Sequence, residues 1–105
     1  MIRVIGLYRW VEGATFDHAY YNSEHMRLTR ELLGPKGLVR LESDRYLSSA
    51  PPVPGSIVAA SHAYFENVEA AKSAVAAAAA ALMADVAKYT SLKPELSFAT
   101  VESHV

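Results

Sequence analysis

The sequence predicts one α+β domain of the ferredoxin-like βαββαβ plan: a four-stranded antiparallel sheet with two helices on one face. Three observations point there. Apolar patterning alternates in the order strand, helix, strand, strand, helix, strand. The chain is 105 residues long, the length of a single domain spanning residues 1–105. The first strand is apolar on both alternating sets, yet only two helices are present to cover the sheet. One sheet face is therefore left for a partner, and a homodimer is expected from the pattern itself.

Residues 2–10 make the first strand, with Ile5 and Leu7 on one set and Ile2, Val4, Tyr8 and Trp10 on the other. Glu12-Gly13-Ala14-Thr15 is a turn, after which Thr15 or Asp17 can cap a helix over residues 17–33. Tyr21, His25, Leu28 and Leu32 fall at steps of four, three and four, which places them on its buried face. Gly34-Pro35-Lys36-Gly37 ends it, with Gly34 suited to the left-handed position and Pro35 unable to continue the helix. Residues 38–47 form the second strand and 57–65 the third. The joining segment 48–56, with three prolines and a glycine, reads as an irregular hairpin loop rather than a lid. Asn67 caps the second helix, which runs to residue 88 with Val68, Ala71, Val75, Ala78, Leu82 and Val86 as its buried stripe. The alanine run 76–81 is strong helix former rather than disorder. Its small side chains either let the helix approach the sheet closely or leave a cavity, and close packing is the expectation. Residues 96–101 form the fourth strand.

Composition removes several classes of function. Ten basic residues stand against eleven acidic ones, with no basic stripe interleaved with aromatics, so no nucleic-acid partner is expected. The absence of cysteine excludes a disulfide framework, a thiol nucleophile, an iron–sulfur cluster and a cysteine zinc site. The N-terminus lacks the pattern of a signal peptide, and the longest apolar run, 74–83, is too short to span a bilayer. No membrane partner and a cytoplasmic location are expected.

The segment Phe16-Asp17-His18-Ala19-Tyr20-Tyr21-Asn22-Ser23-Glu24-His25-Met26-Arg27-Leu28 resembles the first-helix signature of the EthD family, F-D-x-D-Y-Y-x-x-x-H-M-P-L. His62-Ala63-Tyr64-Phe65-Glu66 resembles the family's third strand entering its second helix. Met83-Ala84-Asp85-Val86-Ala87-Lys88-Tyr89-Thr90 is similar to its M-A-D-I-P-N-Y-T stretch. The blocks keep the family's order across essentially the whole chain. The resemblance implies a dimeric α+β barrel. It implies little about chemistry, because the biochemical role of the family's members is generally unknown; structural relatives include cofactor-free monooxygenases, polyketide cyclases and haem-binding enzymes. Ala19 stands where the family often has Asp, and Ala87 and Lys88 replace Pro-Asn. Arg27 replaces a proline, so the first helix is expected to run straighter than the family's.

His25 is the sharpest candidate for chemistry, as a general acid or base facing any space between helices and sheet, and it matches the family's histidine. Tyr21 can exchange a hydrogen bond with it, and Asp17 can extend the relay or simply cap the helix. The competing reading is a core histidine satisfied by a tyrosine hydroxyl or a backbone carbonyl. Tyr8, Trp10, His62 and Tyr64 are candidates to line a ligand pocket, with Phe65 beside them, although strand aromatics also serve as plain core. Asp85 and Tyr89, four apart, read as a local contact at the end of the second helix. His25 and His62 have no metal-ligand spacing, so no metal is expected. His25 could be a haem's axial ligand, but nothing else in the chain favours haem, and no cofactor is expected. The predicted function is binding of a small apolar or aromatic molecule in a sheet–helix pocket, with cofactor-free oxygenase or proton-transfer activity as the analogous chemistry. A non-catalytic accessory protein of a catabolic or biosynthetic pathway, or a haem-dependent enzyme, is the alternative.

Overall fold

A computed structural model describes residues 1–48 and 51–105. The order is β1 (Ile2–Arg9), a first helix α1, β2 (Arg40–Arg45), β3 (Ile57–Phe65), α2 (Val68–Val86) and β4 (Glu95–Thr100). The strands form one antiparallel sheet in the order β2-β3-β1-β4, the ferredoxin-like arrangement. β1 ends one residue short of expectation because its register against β3 shifts after Tyr8. β2 is shorter at both ends than the expected 38–47. Part of the expected loop 48–56, residues 49 and 50, lies outside the described residues. Its described end is a turn in which Ser56 donates to the Val53 carbonyl and Gly55 takes a positive φ.

The register decides what each sheet face carries. Val4 pairs with Ala63 and Phe98, Gly6 with Ser61 and Leu96, and Tyr8 with Ala59, and this face meets both helices. Two apolar clusters fill the space between. Tyr8 and Ala59 meet Tyr21, Met26, Val86 and Tyr89 in one; Val4, Ala63 and Phe65 meet Leu33, Ala71, Ala74 and Ala78 in the other. The buried alanines let α2 sit close to the sheet, as small side chains permit. Val68, expected in the buried stripe, is exposed at the first turn. The opposite face has no helix. Ile5, Leu7, Ala60, His62 and Tyr64 lie there beside the charged positions of β2.

α1 departs from the expected straight helix. It starts as α-helix over His18–Tyr20, widens to a π-helix over Tyr21–His25 and returns to α-helix over Met26–Leu33. A π turn inserts one residue, which rotates everything after it by one position. Tyr21 and His25 are buried as expected, but the face then continues through Met26, Thr29 and Leu33, with Leu28 and Leu32 only half-buried. The chain leaves α1 through a 3-10 turn, Gly34–Lys36, and the left-handed residue is Gly37 rather than Gly34, which stays right-handed.

Candidate functional site

A cavity of about 200 Å³ lies between the sheet and the two helices. Val4, Leu41, Leu33, Val75, Leu82 and Val86 supply apolar walls, and Ala79 leaves room on the α2 side. Its polar groups are His25, Tyr8, Thr29 and Ser61. Gly6 keeps the floor open, because a Cβ there would stand 3.2 Å from the Ser61 hydroxyl. Met83 and Leu96, each more than half exposed, flank the mouth.

His25 sits at the end where the two helices are tied together. Asp17 N–H donates to the Tyr89 carbonyl (2.7 Å), and Thr90 Oγ1 donates to the Thr15 carbonyl (2.7 Å), which stitches the entry of α1 to the exit of α2. This brings the last turn of α2 against the π segment. His25 Nδ1 donates to Asp85 Oδ2 at 2.9 Å, with the two side chains only 7% and 8% exposed. Tyr20 O–H donates to Asp85 Oδ1 at 2.9 Å, and Lys88 Nζ stands 3.6 Å from the same oxygen. Burial alone would raise the Asp85 carboxyl; the hydrogen bonds from His25 and Tyr20, with Lys88 nearby, outweigh it and hold the group below the usual carboxylate range. Asp85 fixes the ring's orientation: Nδ1 carries a proton, and Nε2 meets no hydrogen-bond partner among the described residues.

The phenols around this imidazole form an aromatic shell. Tyr21 stacks on His25 (centroids 5.7 Å apart, planes 16° apart), and Tyr89 lies 4.7 Å from it. Tyr8 meets Phe16 and Tyr21 edge-on, and its hydroxyl hydrogen-bonds that of Tyr89. Burial raises the phenol pKa values of Tyr8, Tyr21 and Tyr89, so all three stay protonated at neutral pH.

The candidates from sequence therefore separate. His25 and Tyr8 line the cavity together. Tyr21 contacts His25 through its ring, and its hydroxyl is buried with no hydrogen-bond partner among the described residues. Asp17 caps α1, accepting from the Tyr20 N–H at 3.1 Å. The carboxylate that orients His25 is Asp85, sixty residues away, not Asp17. From sequence Asp85 reads as a local helix-end group; the signal for a longer-range role is that a charged residue falls in phase with the apolar stripe of Ala78, Leu82 and Tyr89. Trp10 lines a separate surface depression with Phe16, His18 and Arg45. His62 and Tyr64 lie on the helix-free face, where His62 Nε2 pairs with Asp44 (2.6 Å) and the Tyr64 hydroxyl donates to Glu42 (3.0 Å).

Among the described residues no three His, Cys, Asp or Glu side chains converge as metal ligands, and no helix is long and apolar enough to cross a membrane. His25 backed by Asp85 has the form of an axial histidine with its carboxylate partner. The cavity of about 200 Å³ does not fit a haem, since even drug-sized ligands occupy sites of roughly 300–1,000 Å³.

No family model matches the chain, and no curated protein matches it. Solved structures do. An EthD-like protein from Ralstonia eutropha JMP134 is 30% identical, with 93% of this chain and 88% of that chain covered and a TM-score of 0.78. An EthD family protein from Bacillus halodurans C-125 is 23% identical, over 97% of this chain and 99% of that one, at a TM-score of 0.69. A protein from Arabidopsis thaliana shares 12% identity over 100% and 99% of the two chains, at a TM-score of 0.70. The last two likenesses show the shared fold alone. The first carries both fold and sequence, and with the four-stranded sheet and two helices described above it establishes that this chain belongs to the EthD-like family.

Proposed function

We propose that the protein binds a small apolar or aromatic molecule in the sheet–helix cavity and moves a proton at His25. One observation carries this reading: the imidazole that lines the cavity is held by a buried carboxylate through Nδ1, so that Nε2 is the nitrogen available to an occupant. A carboxylate in that place orients the ring and stabilises the imidazolium formed when it accepts a proton, the division of labour in His–Asp pairs generally. The walls favour an apolar body, and the four polar groups are too few to hold a sugar or a nucleotide.

A homodimer formed through the helix-free face is part of this proposal. Ile5 and Leu7 give that face an apolar centre, and the charged residues of β2 give it a polar rim, the layout of a protein interface.

The test is equilibrium binding of 4-nitroanisole, an uncharged aromatic probe, to the full chain and to Ala79→Trp. Ala79 is exposed on its outer side and lines the cavity, so the indole fills the space without disturbing the buried alanines. Saturable binding by the parent and its loss in the variant, at an unchanged unfolding temperature, is the expected result. Equal binding by both would place the ligand elsewhere and end this reading.

A further inference from the structure

We propose that the cavity takes a neutral phenol or enolisable carbonyl compound, and that the Tyr8 hydroxyl holds the oxygen of its conjugate base while His25 takes the proton. This rests on the function proposed above and names its substrate class.

Hydroxyl accounting leads to Tyr8. The hydroxyls of Tyr8 and Tyr89 bond each other, and neither meets another partner among the described residues. Two phenols bring two protons, and their mutual bond uses one. One buried donor is left over, which is unfavourable unless something in the cavity accepts it. Tyr8 lines the cavity and Tyr89 does not. The arrangement that uses both groups has Tyr89 donating to Tyr8, and Tyr8 presenting its own proton to an occupant. Donation from Tyr89 polarises Tyr8 and strengthens it as a donor.

The lining sets the charge and size of the ligand. Among the described residues no Lys or Arg lines the cavity, so a molecule that arrives as an anion finds no fixed cation. The charge has to arise in place. An aliphatic cavity of roughly 150 Å³ takes benzene, so about 200 Å³ suits a six-membered ring with one or two small substituents. The step balances within the site. His25 Nε2 forms an N–H bond as the substrate's O–H, or the C–H beside its carbonyl, breaks. The electron pair stays on the substrate as phenolate or enolate oxygen, which accepts from Tyr8. The imidazolium faces the Asp85 carboxylate, with Tyr20 and Lys88 beyond it on α1 and just past α2. Tyr21 of α1, Tyr89 and, from the sheet, Tyr8 and Ser61 complete the surroundings, all uncharged.

The test compares 4-nitrophenol, whose ionised form is coloured, with 4-nitroanisole, which has the same ring and no acidic proton. Binding is read by absorbance at a pH where free 4-nitrophenol is mostly neutral. The parent is expected to bind both and to ionise bound 4-nitrophenol well beyond its free fraction. Tyr8→Phe should lose that colour and weaken 4-nitrophenol by about tenfold or more, the effect of one hydrogen bond to a charged oxygen. 4-Nitroanisole, which gains no charged oxygen, should weaken much less than 4-nitrophenol, and an unchanged circular dichroism spectrum shows that the variant is folded. Tyr89→Phe, acting through Tyr8, should fall between. If Tyr8→Phe and Tyr89→Phe leave 4-nitrophenol unchanged while the parent binds both probes, the Tyr8 role is overturned and the cavity reading survives. If the parent binds neither, both fall together.

Discussion

Asp85 is a buried carboxylate in the last turn of an apolar helix stripe, and three donors surround it. Such a group stabilises the fold only while those donors are present. Asp85→Asn keeps the shape and removes the charge, and should cost about 1–3 kcal/mol in urea unfolding near neutral pH. The folded carboxyl titrates below its ordinary value, so its contribution is complete above about pH 4 and is lost as the pH falls through the folded value. The stability gap between parent and Asp85→Asn should therefore collapse at the acid end, as the pH falls through the folded carboxyl value; a gap that persists undiminished there would contradict the assignment. His25 combines two roles that the sequence presented as alternatives, since it borders the cavity and is also satisfied by a partner. His25→Ala should lower stability by about 1–3 kcal/mol, because Asp85 loses one donor and keeps Tyr20. It should also abolish ionisation of bound 4-nitrophenol, and retained colour would argue against His25 as the base.

The π segment of α1 is the element on which the site turns. It lets Tyr21 and His25 share a face while moving the face that follows from Leu28 and Leu32 to Thr29 and Leu33. Counted without the inserted residue, Met26, Thr29 and Leu33 still follow Tyr21 at α-helical spacing. Deleting Ser23, which is exposed and donates only to the Ala19 carbonyl, should convert the segment to plain α-helix and keep that packing. The expected outcome is a folded variant that loses the 4-nitrophenol signal and about 1–3 kcal/mol of stability, as His25→Ala does, because His25 then leaves the helix at a different angle and no longer meets Asp85. Loss of folding would show that the π turn is required by the core rather than by the site. The loop between β2 and β3 is the opposite kind of element. Pro51, Val53 and Pro54 are exposed, so replacing 51–54 by glycine and serine should cost no more than about 1–2 kcal/mol, mainly through a more flexible unfolded chain. A larger loss, or failure to recover a soluble protein, would mean that the loop packs against a partner.

The whole molecule has helices over one face of its sheet and none over the other. A second copy is the occupant we propose for the bare face, because its apolar centre, Ile5 and Leu7, belongs to the central strand β1. Light scattering after size exclusion should give twice 11.4 kDa. Leu7→Glu places a charge at that centre and should shift the mass to that of a single chain with the helices intact by circular dichroism. A parent that runs as a monomer would remove the dimer from the proposal.

The sequence by itself determined the order of elements, the Asn67 and Asp17 caps, the bare sheet face and the prominence of His25. Each depends on local spacing or on a residue type whose preferred place is set by backbone sterics and hydrogen bonding. Only the tertiary structure decided what His25 does. Its carboxylate lies sixty positions away on another helix, and the choice of Asp85 over Asp17 follows from backbone bonds between residues 15–17 and 89–91. The exchange of Leu28 for Thr29 in the buried face was equally out of reach. A π turn leaves no periodic mark of its own, since a step of four residues fits both helix types and only packing reveals which one the chain adopts. From sequence His62 and Tyr64 read as neighbours of Tyr8, yet strand register sends Val4 and Tyr8 of β1 to one face and His62 and Tyr64 of β3 to the other. Register arises from the pairing of distant strands, and no pattern within either strand contains it.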